Sequence, residues 1–307
     1  MSRTSRSVPM SPPIRKSRTP LIAWGAVGLV VLIIVALVVI KIVGGKGPTQ
    51  SSHQAVLPAP SQLVKEITTV PPSVFDTVGT GIPSQFVGTT PIVIAGQPPL
   101  RLQGKSPSVL YYGAEYCPFC AAERWSIAVA LARFGTWSGL QTTASGLLDG
   151  DYSTITFSKA RFTSPYVHFA SIEACTNVVN PNVAGCSGYT HLQNPTKEEQ
   201  AVLAKYASSS FVPGNTQGVA FPYVDVDNKV LYSGSTYQPG ILTGLTQAEI
   251  GSSLSDASNP LTQAIVGTAN YLTASICAGT GNMPSNVCSS KGVRAAAQAL
   301  RSIPPSG

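Results

Sequence analysis

Residues 109–125 of this chain read VLYYGAEYCPFCAAERW, with an apolar run at Val109–Tyr112 followed by Cys117 and Cys120. The apolar run predicts a β-strand, and Ala121–Trp125 predicts the first turns of a helix. Two cysteines between a strand and a helix N-terminus are typical of a redox couple. Unpaired N–H groups and the helix dipole favour a thiolate at that position. We therefore expect Cys117 to be the nucleophile, with its sulfur exposed at the helix tip, and Cys120 to be the resolving thiol.

Two other roles for this cysteine pair are open, an inert structural disulfide and a metal site. A zinc site needs further ligands at close spacing, but the sequence has no second C-x-x-C and no H-x-x-x-H. His53, His168 and His191 lack the spacing of a metal site or a catalytic pair, so we expect structural or solvated roles for them. The sequence also lacks a Gly-rich phosphate loop and a G-x-S-x-G motif. We predict neither a metal nor a cofactor.

An N-terminal membrane anchor is predicted at residues 21–43. Leu21–Ile40 contains no charged residue and is about as long as a bilayer core is thick. Five Lys or Arg precede this run, which predicts a cytoplasmic N-terminus. A cleavable signal peptide is the alternative, but its apolar region would be shorter and no A-x-A-like site follows Ile42. We therefore expect a single-pass protein of the cell membrane with an extracytoplasmic C-terminal domain.

The basic character of the chain belongs to this N-terminal region. The formal net charge is +7, and residues 1–46 hold seven of the 20 basic residues and no acidic one. The remaining 13 basic residues balance the 13 acidic ones. The charge therefore reports membrane topology and indicates no nucleic-acid partner.

Four further cysteines, Cys175, Cys186, Cys277 and Cys288, allow three pairings. Disulfides persist in an oxidising compartment, which suits an exported domain. The local pairs, Cys175 with Cys186 and Cys277 with Cys288, each close a short loop worth about 3 kcal/mol in the chain-entropy model. We predict both as structural disulfides.

The remaining sequence predicts one mixed sheet with helices. We expect residues 1–20 to form a disordered cytoplasmic tail, 44–60 a linker, and 61–307 the extracytoplasmic domain, with an insertion at about 175–217 and C-terminal helices at about 245–302. The expected elements are a hairpin of Pro91–Ala95 with Leu100–Leu102, a buried helix from Ala121 to Phe134 stopped by Gly135, a strand at Tyr166–Ala174, a helix at Lys197–Ala207 capped by Thr196, a hairpin of Gly218–Val226 with Val230–Gly234, and helices starting at Pro260 and Val293. This order predicts an α/β fold.

The run from Tyr111 to Trp125, with Arg133-Phe134-Gly135 after it, resembles a prokaryotic family of membrane-anchored thioredoxin-like proteins catalogued only as a domain of unknown function. C-P-F-C is similar to the dithiol motif of glutaredoxin-type proteins, and Phe221-Pro222 resembles the cis-proline strand of the thioredoxin fold. The resemblance implies a thioredoxin-like mixed sheet with a helical insertion and extra C-terminal helices, preceded by one transmembrane helix.

The resemblance also implies roles around the dithiol. Pro222 would be cis and pack across the cysteines, and Phe221 would pair with an extended substrate; the alternative is an ordinary edge-strand proline. Tyr116 would add substrate-binding surface, and Trp125 either joins it or packs in the core. Related enzymes hold a buried carboxylate six residues before the first cysteine, where this chain has Tyr111. Glu115 is nearer, but strand alternation predicts that it points to solvent.

We therefore hypothesise a membrane-anchored thiol-disulfide oxidoreductase that exchanges disulfides with exported proteins through Cys117 and Cys120. The direction of electron flow is open, and its redox partner is unknown. The alternative is a redox-inactive thioredoxin-like binding or scaffold domain of the cell envelope, whose dithiol stays oxidised.

Overall fold

The computed structural model describes residues 55–182 and 185–307. Within these residues it contains twelve β-strands and eight α-helices. The strands are β1 Leu57–Pro58, β2 Ile92–Val93, β3 Ser108–Gly113, β4 Thr136–Ser138, β5 Gln141–Ala144, β6 Ser153–Thr156, β7 Arg161–Thr163, β8 His168–Glu173, β9 Cys175–Val179, β10 Tyr189–His191, β11 Tyr223–Val226 and β12 Val230–Ser233. The helices are α1 Ser61–Thr68, α2 Pro72–Val78, α3 Pro118–Leu131, α4 Lys197–Tyr206, α5 Gln247–Ser253, α6 Pro260–Gly279, α7 Ser285–Cys288 and α8 Lys291–Arg301.

A five-stranded mixed sheet with the order β2-β12-β11-β3-β8 forms the centre of the fold. β3 and β8 are parallel, whereas β11 is antiparallel to β3, with Tyr223 opposite Tyr112. Neighbouring residues of β3 face opposite layers, since Val109 and Tyr111 belong to one apolar cluster and Leu110 to another. Because β3 is buried on both faces, its sequence is a continuous apolar run. The predicted mixed α/β architecture is confirmed.

Helices cover both faces of this sheet. α3 and α6 share one apolar cluster through residues such as Trp125 and Ile265, and α4 supplies Leu203 to the other. Nearly every residue of α3 is buried, as predicted from its apolar circumference. The helix ends at Leu131, before the predicted stop at Gly135. Gly135 instead approaches the neighbouring strand, where an added Cβ would lie 2.2 Å from the Thr163 carbonyl oxygen.

The hairpin predicted for Pro91–Ala95 with Leu100–Leu102 is wrong. β2 pairs with β12 across the sheet, with Ile92 opposite Leu231. Leu102 instead exchanges backbone hydrogen bonds with Lys105 in a local turn. The intervening Gly96-Gln97-Pro98-Pro99 segment contains two prolines, which cannot donate to a strand ladder.

The predicted hairpin of β11 and β12 is confirmed, although β11 starts at Tyr223 and not at Gly218. Asp227 and Asn228 form its turn with φ of 56° and 51°, a region that these residue types tolerate.

The insertion also follows the prediction in part. α4 begins with the expected capping box, in which Thr196 and Glu199 cap each other's backbone N–H groups.

Three small sheets lie outside these predictions. β1, β5 and β6 form a three-stranded sheet, β4 pairs with β7, and β9 pairs with β10. The C-terminal helices agree with expectation: Asn259 caps α6 by accepting from the Leu261 N–H at 2.9 Å, and Pro260 occupies its first turn.

The predicted tail at 1–20 and membrane span at 21–43 lie outside the described residues, as does most of the predicted linker at 44–60. The described end of that linker already belongs to a sheet, because Leu57 pairs with Thr142 of β5. Among the residues that the structure describes, no helix combines the length and apolarity needed to cross a membrane.

Candidate functional site

The dithiol lies where β3 passes into α3. Cys117 is the N-cap residue of α3, and its Sγ accepts a hydrogen bond from the Cys120 backbone N–H at 3.3 Å. Pro118 occupies the first turn, where a missing N–H leaves no hydrogen bond unmade. The strand, C-x-x-C and helix arrangement expected from sequence is therefore present, with both cysteines unpaired.

The two thiols differ in acidity. Hydrogen bonding from the Cys120 thiol lowers the pKa of Cys117; burial opposes this, and the backbone N–H groups of Cys120 and Phe119 and the Arg124 charge support it. Burial raises the pKa of Cys120 well above its usual range, and its hydrogen bond to Cys117 adds to the rise. The thiolate of the pair therefore forms on Cys117.

The expected exposure of the nucleophile is wrong in degree. Cys117 is 5% exposed and Cys120 is 0% exposed, whereas Phe119 between them is 40% exposed. The helix tip is at the surface, but the side chains around the first sulfur cover most of it. Only a small part of Cys117 is therefore accessible from solvent.

The Phe221-Pro222 segment faces the dithiol. The peptide bond between these residues is cis, and the Cys117 Sγ lies 3.8 Å from the Phe221 carbonyl oxygen. Pro222 directly precedes β11, and its carbonyl accepts from the Gly234 N–H at 2.8 Å. The cis bond agrees with what the resemblance implied, and the contact with the cysteine is made by the Phe221 carbonyl.

Aromatic rings pack in and around the cluster that contains the two cysteines. Tyr116 stacks on Tyr189 at 4.4 Å between ring centroids and meets Phe221 edge-on at 6.4 Å. Tyr112 packs on Phe221 from the sheet side at 5.0 Å. Trp125 is not part of this surface, because it is fully buried and its Nε1 donates to the Ser153 carbonyl at 3.3 Å. Of the two roles considered for Trp125, the structure shows the core role.

A buried ion pair lies beneath the dithiol. Arg124 donates to Glu173 through Nε at 2.8 Å and through Nη2 at 2.7 Å, and Nη2 also donates to the Ala114 carbonyl at 2.6 Å. The Tyr111 hydroxyl lies 3.5 Å from the same carboxylate. Gly113 makes room here, because an added Cβ would meet the Tyr111 hydroxyl at 2.2 Å and the Cys120 sulfur at 2.9 Å.

This pair was missed from sequence. Glu173 is on β8, 49 residues from Arg124, so no local spacing connects them. The available signal was a Glu123-Arg124 dipeptide within a helix that is otherwise apolar on all sides, since charges in such a helix must be buried.

Comparison with known proteins gives a family for the chain. Residues 98–278 match the family model of a domain of unknown function, DUF929. The chain belongs to the DUF929 family. The DUF929 match includes the dithiol, Phe221-Pro222 and the ion pair, and it confirms the expected membership of a family catalogued as a domain of unknown function. No curated protein and no solved structure matched this DUF929 chain.

The predicted exposure of Glu115 to solvent is wrong. Glu115 is 1% exposed and does not point to solvent; its Oε1 accepts from the Thr156 hydroxyl at 2.8 Å. Burial raises its pKa, with a further rise from the Glu173 charge. Strand alternation does not apply to Glu115, because β3 ends two residues earlier at Gly113.

Glu123 is a second buried carboxylate on α3. Its Oε2 accepts from the Ser235 hydroxyl and the Thr236 N–H, both at 3.1 Å, whereas Oε1 has no partner among the described residues. Burial raises its pKa to about 7, against the opposing hydrogen bonds from Thr236 and Ser235. Glu123 therefore titrates near neutral pH inside the fold.

Both predicted disulfides form in this DUF929 protein. Cys175 bonds to Cys186, and Cys277 to Cys288, each with a sequence separation of 11 and a Cα–Cα distance of 5.7 Å. Their surroundings differ. Cys175 and the partly exposed Cys186 pack in the cluster that contains the dithiol, whereas Cys277 and Cys288 belong to the large core around α3 and α6.

Of the three histidines, His191 lies near the dithiol cluster. It ends β10 opposite Cys175 of β9 and lines a cavity with Tyr116 and Phe221, whereas His168 begins β8 and His53 is outside the described residues. Within residues 55–182 and 185–307, no group of three or more His, Cys, Asp or Glu could hold a metal ion.

Proposed function

We propose that this DUF929 protein is a thioredoxin-like thiol-disulfide oxidoreductase that exchanges disulfides with exported proteins through Cys117 and Cys120. Residues 21–43 anchor it in the cell membrane as a single-pass protein, with residues 1–20 in the cytoplasm and 61–307 outside. A separate, unidentified redox partner regenerates the dithiol. The sequence supports the anchor, and the two disulfides support an oxidising compartment.

The observation that carries the proposal is the arrangement of the Cys117 sulfur. It lies at a helix N-terminus, accepts from the Cys120 N–H and sits 3.8 Å from the carbonyl that precedes Pro222. A thiolate is stabilised there, and the Phe221 backbone is placed beside it to meet an extended chain. The order of β3, α3 and parallel β8, followed by the β11–β12 hairpin, supports the thioredoxin-like fold.

The proposed chemistry is two successive exchanges. The Cys117 thiolate attacks one sulfur of a substrate disulfide, and the other substrate sulfur leaves as a thiolate and takes up a proton. Cys120 then loses its proton and attacks the Cys117 sulfur, which releases the reduced substrate and leaves the Cys117–Cys120 disulfide. In the opposite direction, substrate thiols are oxidised and the dithiol is restored.

Arg124 supports both steps. Its charge lowers the pKa of Cys117, and it opposes the larger effect of burial on Cys120. Glu173 holds the guanidinium beneath the sulfurs by two hydrogen bonds. Arg124 is thus a positioning residue, because it acts on the thiols through its charge and does not reach a substrate.

Trapping tests the proposal. A Cys120→Ser variant cannot resolve a mixed disulfide, so it should accumulate adducts with insulin or with a second protein that contains disulfides. Cys117→Ser is the matched control, because it keeps one thiol of the same pair and should trap nothing. Adducts are detected by non-reducing electrophoresis and peptide mass spectrometry. If wild type exchanges no thiols with either substrate and Cys120→Ser forms no adduct, the oxidoreductase proposal is wrong.

The scaffold alternative is favoured by one observation, the 5% exposure of Cys117. A permanently oxidised pair would need no opening to substrate. In that case the protein would bind its partner without covalent capture, and the Cys117→Ser/Cys120→Ser double variant would bind as tightly as wild type. A loss of binding in the double variant contradicts the scaffold function.

A further inference from the structure

We propose that Cys175–Cys186 is a second redox-active disulfide that exchanges electrons with the Cys117/Cys120 dithiol. The inference rests on the proposed function, since it extends the electron path of the same site. It replaces the structural role that sequence spacing assigned to this disulfide.

The two cysteine pairs lie in the same part of the fold. Cys117, Cys120 and Cys175 are buried members of one small apolar cluster, and Cys186 packs against it. The backbone keeps the two pairs adjacent, because the Glu115 N–H donates to the Cys175 carbonyl at 2.8 Å. Cys175 thus lies beside the turn that leads into the nucleophile.

A cavity adjoins the Cys175–Cys186 disulfide on the side of Tyr116 and Phe221. This cavity of about 260 Å³ is lined by the Cys175–Cys186 disulfide and by Tyr116 and Phe221. The Phe221 carbonyl is the group that lies 3.8 Å from the Cys117 sulfur. Cys186 is the more exposed half of the disulfide, so attack is directed to its sulfur. Open space therefore lies between the aromatic rim of the dithiol and the second disulfide.

The backbone around Cys186 is in an unfavourable conformation. Cys186 and Ser187 both have φ of 51°, a left-handed conformation that side chains other than glycine rarely adopt. The disulfide itself and a 3.3 Å hydrogen bond from the Tyr116 hydroxyl to the Ser187 hydroxyl both restrain this turn. Reduction removes the covalent restraint and lets the strained turn relax, which favours the reduced form of this pair.

The electron transfer is balanced within the chain. The Cys117 thiolate attacks Cys186, which forms a Cys117–Cys186 bond and releases Cys175 as a thiolate. Cys120 gives its proton to that thiolate and attacks Cys117, which releases Cys186 as a thiolate that takes up the second proton. The first pair is oxidised by two electrons and the second is reduced by two.

Cys277–Cys288 provides a matched control, because it has the same sequence separation and Cα–Cα distance but packs in the large core. In the full chain, Cys120→Ser/Cys175→Ser leaves Cys117 and Cys186 free, and Cys120→Ser/Cys277→Ser leaves Cys117 and Cys288 free. After mild oxidation with glutathione disulfide, peptide mass spectrometry should find the Cys117–Cys186 link at least about tenfold more often than Cys117–Cys288. Equal yields of the two links overturn the proposal.

A kinetic measurement does not depend on the folding of these double variants. Oxidised wild type receives one equivalent of dithiothreitol, and free thiols are alkylated at successive times. Cys175–Cys186 should be reduced at least about tenfold faster than Cys277–Cys288, and Cys117→Ser should slow the reduction of Cys175–Cys186 at least about tenfold while the rate for Cys277–Cys288 stays unchanged. Unchanged rates in Cys117→Ser overturn the proposal.

The two proposals fail in different ways. If wild type reduces insulin while Cys175–Cys186 stays oxidised throughout, the second couple is wrong and the oxidoreductase stands. If the Cys117–Cys186 link forms but no external protein exchanges thiols, the internal exchange stands and the proposed function is wrong.

Discussion

Removal of one partner of the Arg124–Glu173 pair should strongly destabilise the protein. Both side chains have 0% exposure, and two hydrogen bonds of 2.8 and 2.7 Å join them. Glu173→Gln leaves a buried guanidinium without its counter-charge, which costs about 3–5 kcal/mol. At about 2–4 °C per kcal/mol for a domain of this size, the melting temperature should fall by roughly 6–20 °C. Arg124→Met should have a similar effect.

The assay is a double-mutant cycle of unfolding free energies, measured by denaturant titration with the disulfides intact. The double variant Arg124→Met/Glu173→Gln removes both charges, so it should be more stable than the sum of the single effects by at least about 2 kcal/mol. Arg101→Met, on an exposed arginine, is the control and should change stability by less than about 0.5 kcal/mol. If the single effects add to the double effect within about 0.5 kcal/mol, the two charges do not depend on each other as argued. Arg124→Met should also raise the pKa of Cys117, because it removes a positive charge that lowers that pKa. The pKa is measured from the absorbance of the thiolate as a function of pH.

Three further outcomes are expected. Because the pKa of Glu123 is raised from 4.5 to about 7 in the fold, its contribution to stability is full below about pH 4.5 and is lost as the pH rises through 7. Glu123→Gln should therefore reduce the loss of unfolding free energy between about pH 4 and 8 by up to about 3 kcal/mol, and equal pH slopes for variant and wild type would contradict this. Trp125→Ala should cost about 3–5 kcal/mol in denaturant titration, because it empties a fully buried site; a cost below about 1 kcal/mol would place the indole outside the core. The Cys277→Ser/Cys288→Ser variant should lose about 3 kcal/mol, and unchanged thermal unfolding would show that this loop needs no covalent closure.

Local signals in the sequence carried the successful predictions. The helix that begins at the two cysteines was found because a strand, the cysteines and a helix start occupy neighbouring positions in the chain. The starts of α4 and α6 were found because Thr196 begins a capping box with Glu199 and because Pro260 is suited to the first turn of a helix. Each of these features is fixed by residues within about one turn, so the sequence displays it directly.

The missed features depend on distant partners or very short elements. β4, β5, β6 and β7 have only three or four residues each, too few for a clear alternation pattern. Glu115 was misplaced because alternation was extended beyond the end of β3 into a loop. The Arg124–Glu173 pair was missed because the two residues are far apart in the chain and are brought together by the parallel pairing of β3 with β8. Spacing along the chain contains no information about such a meeting.

Gly113 gives a criterion for examining other members of the family. A methyl group at this position would overlap the Tyr111 hydroxyl and press on the Cys120 sulfur, at 2.2 and 2.9 Å. Any homologue with alanine or a larger residue here must move its second cysteine or replace the tyrosine. Genomic sequences can therefore be sorted at these two alignment columns, and those that keep the glycine together with the tyrosine are the ones to which the sulfur geometry of this protein can be transferred.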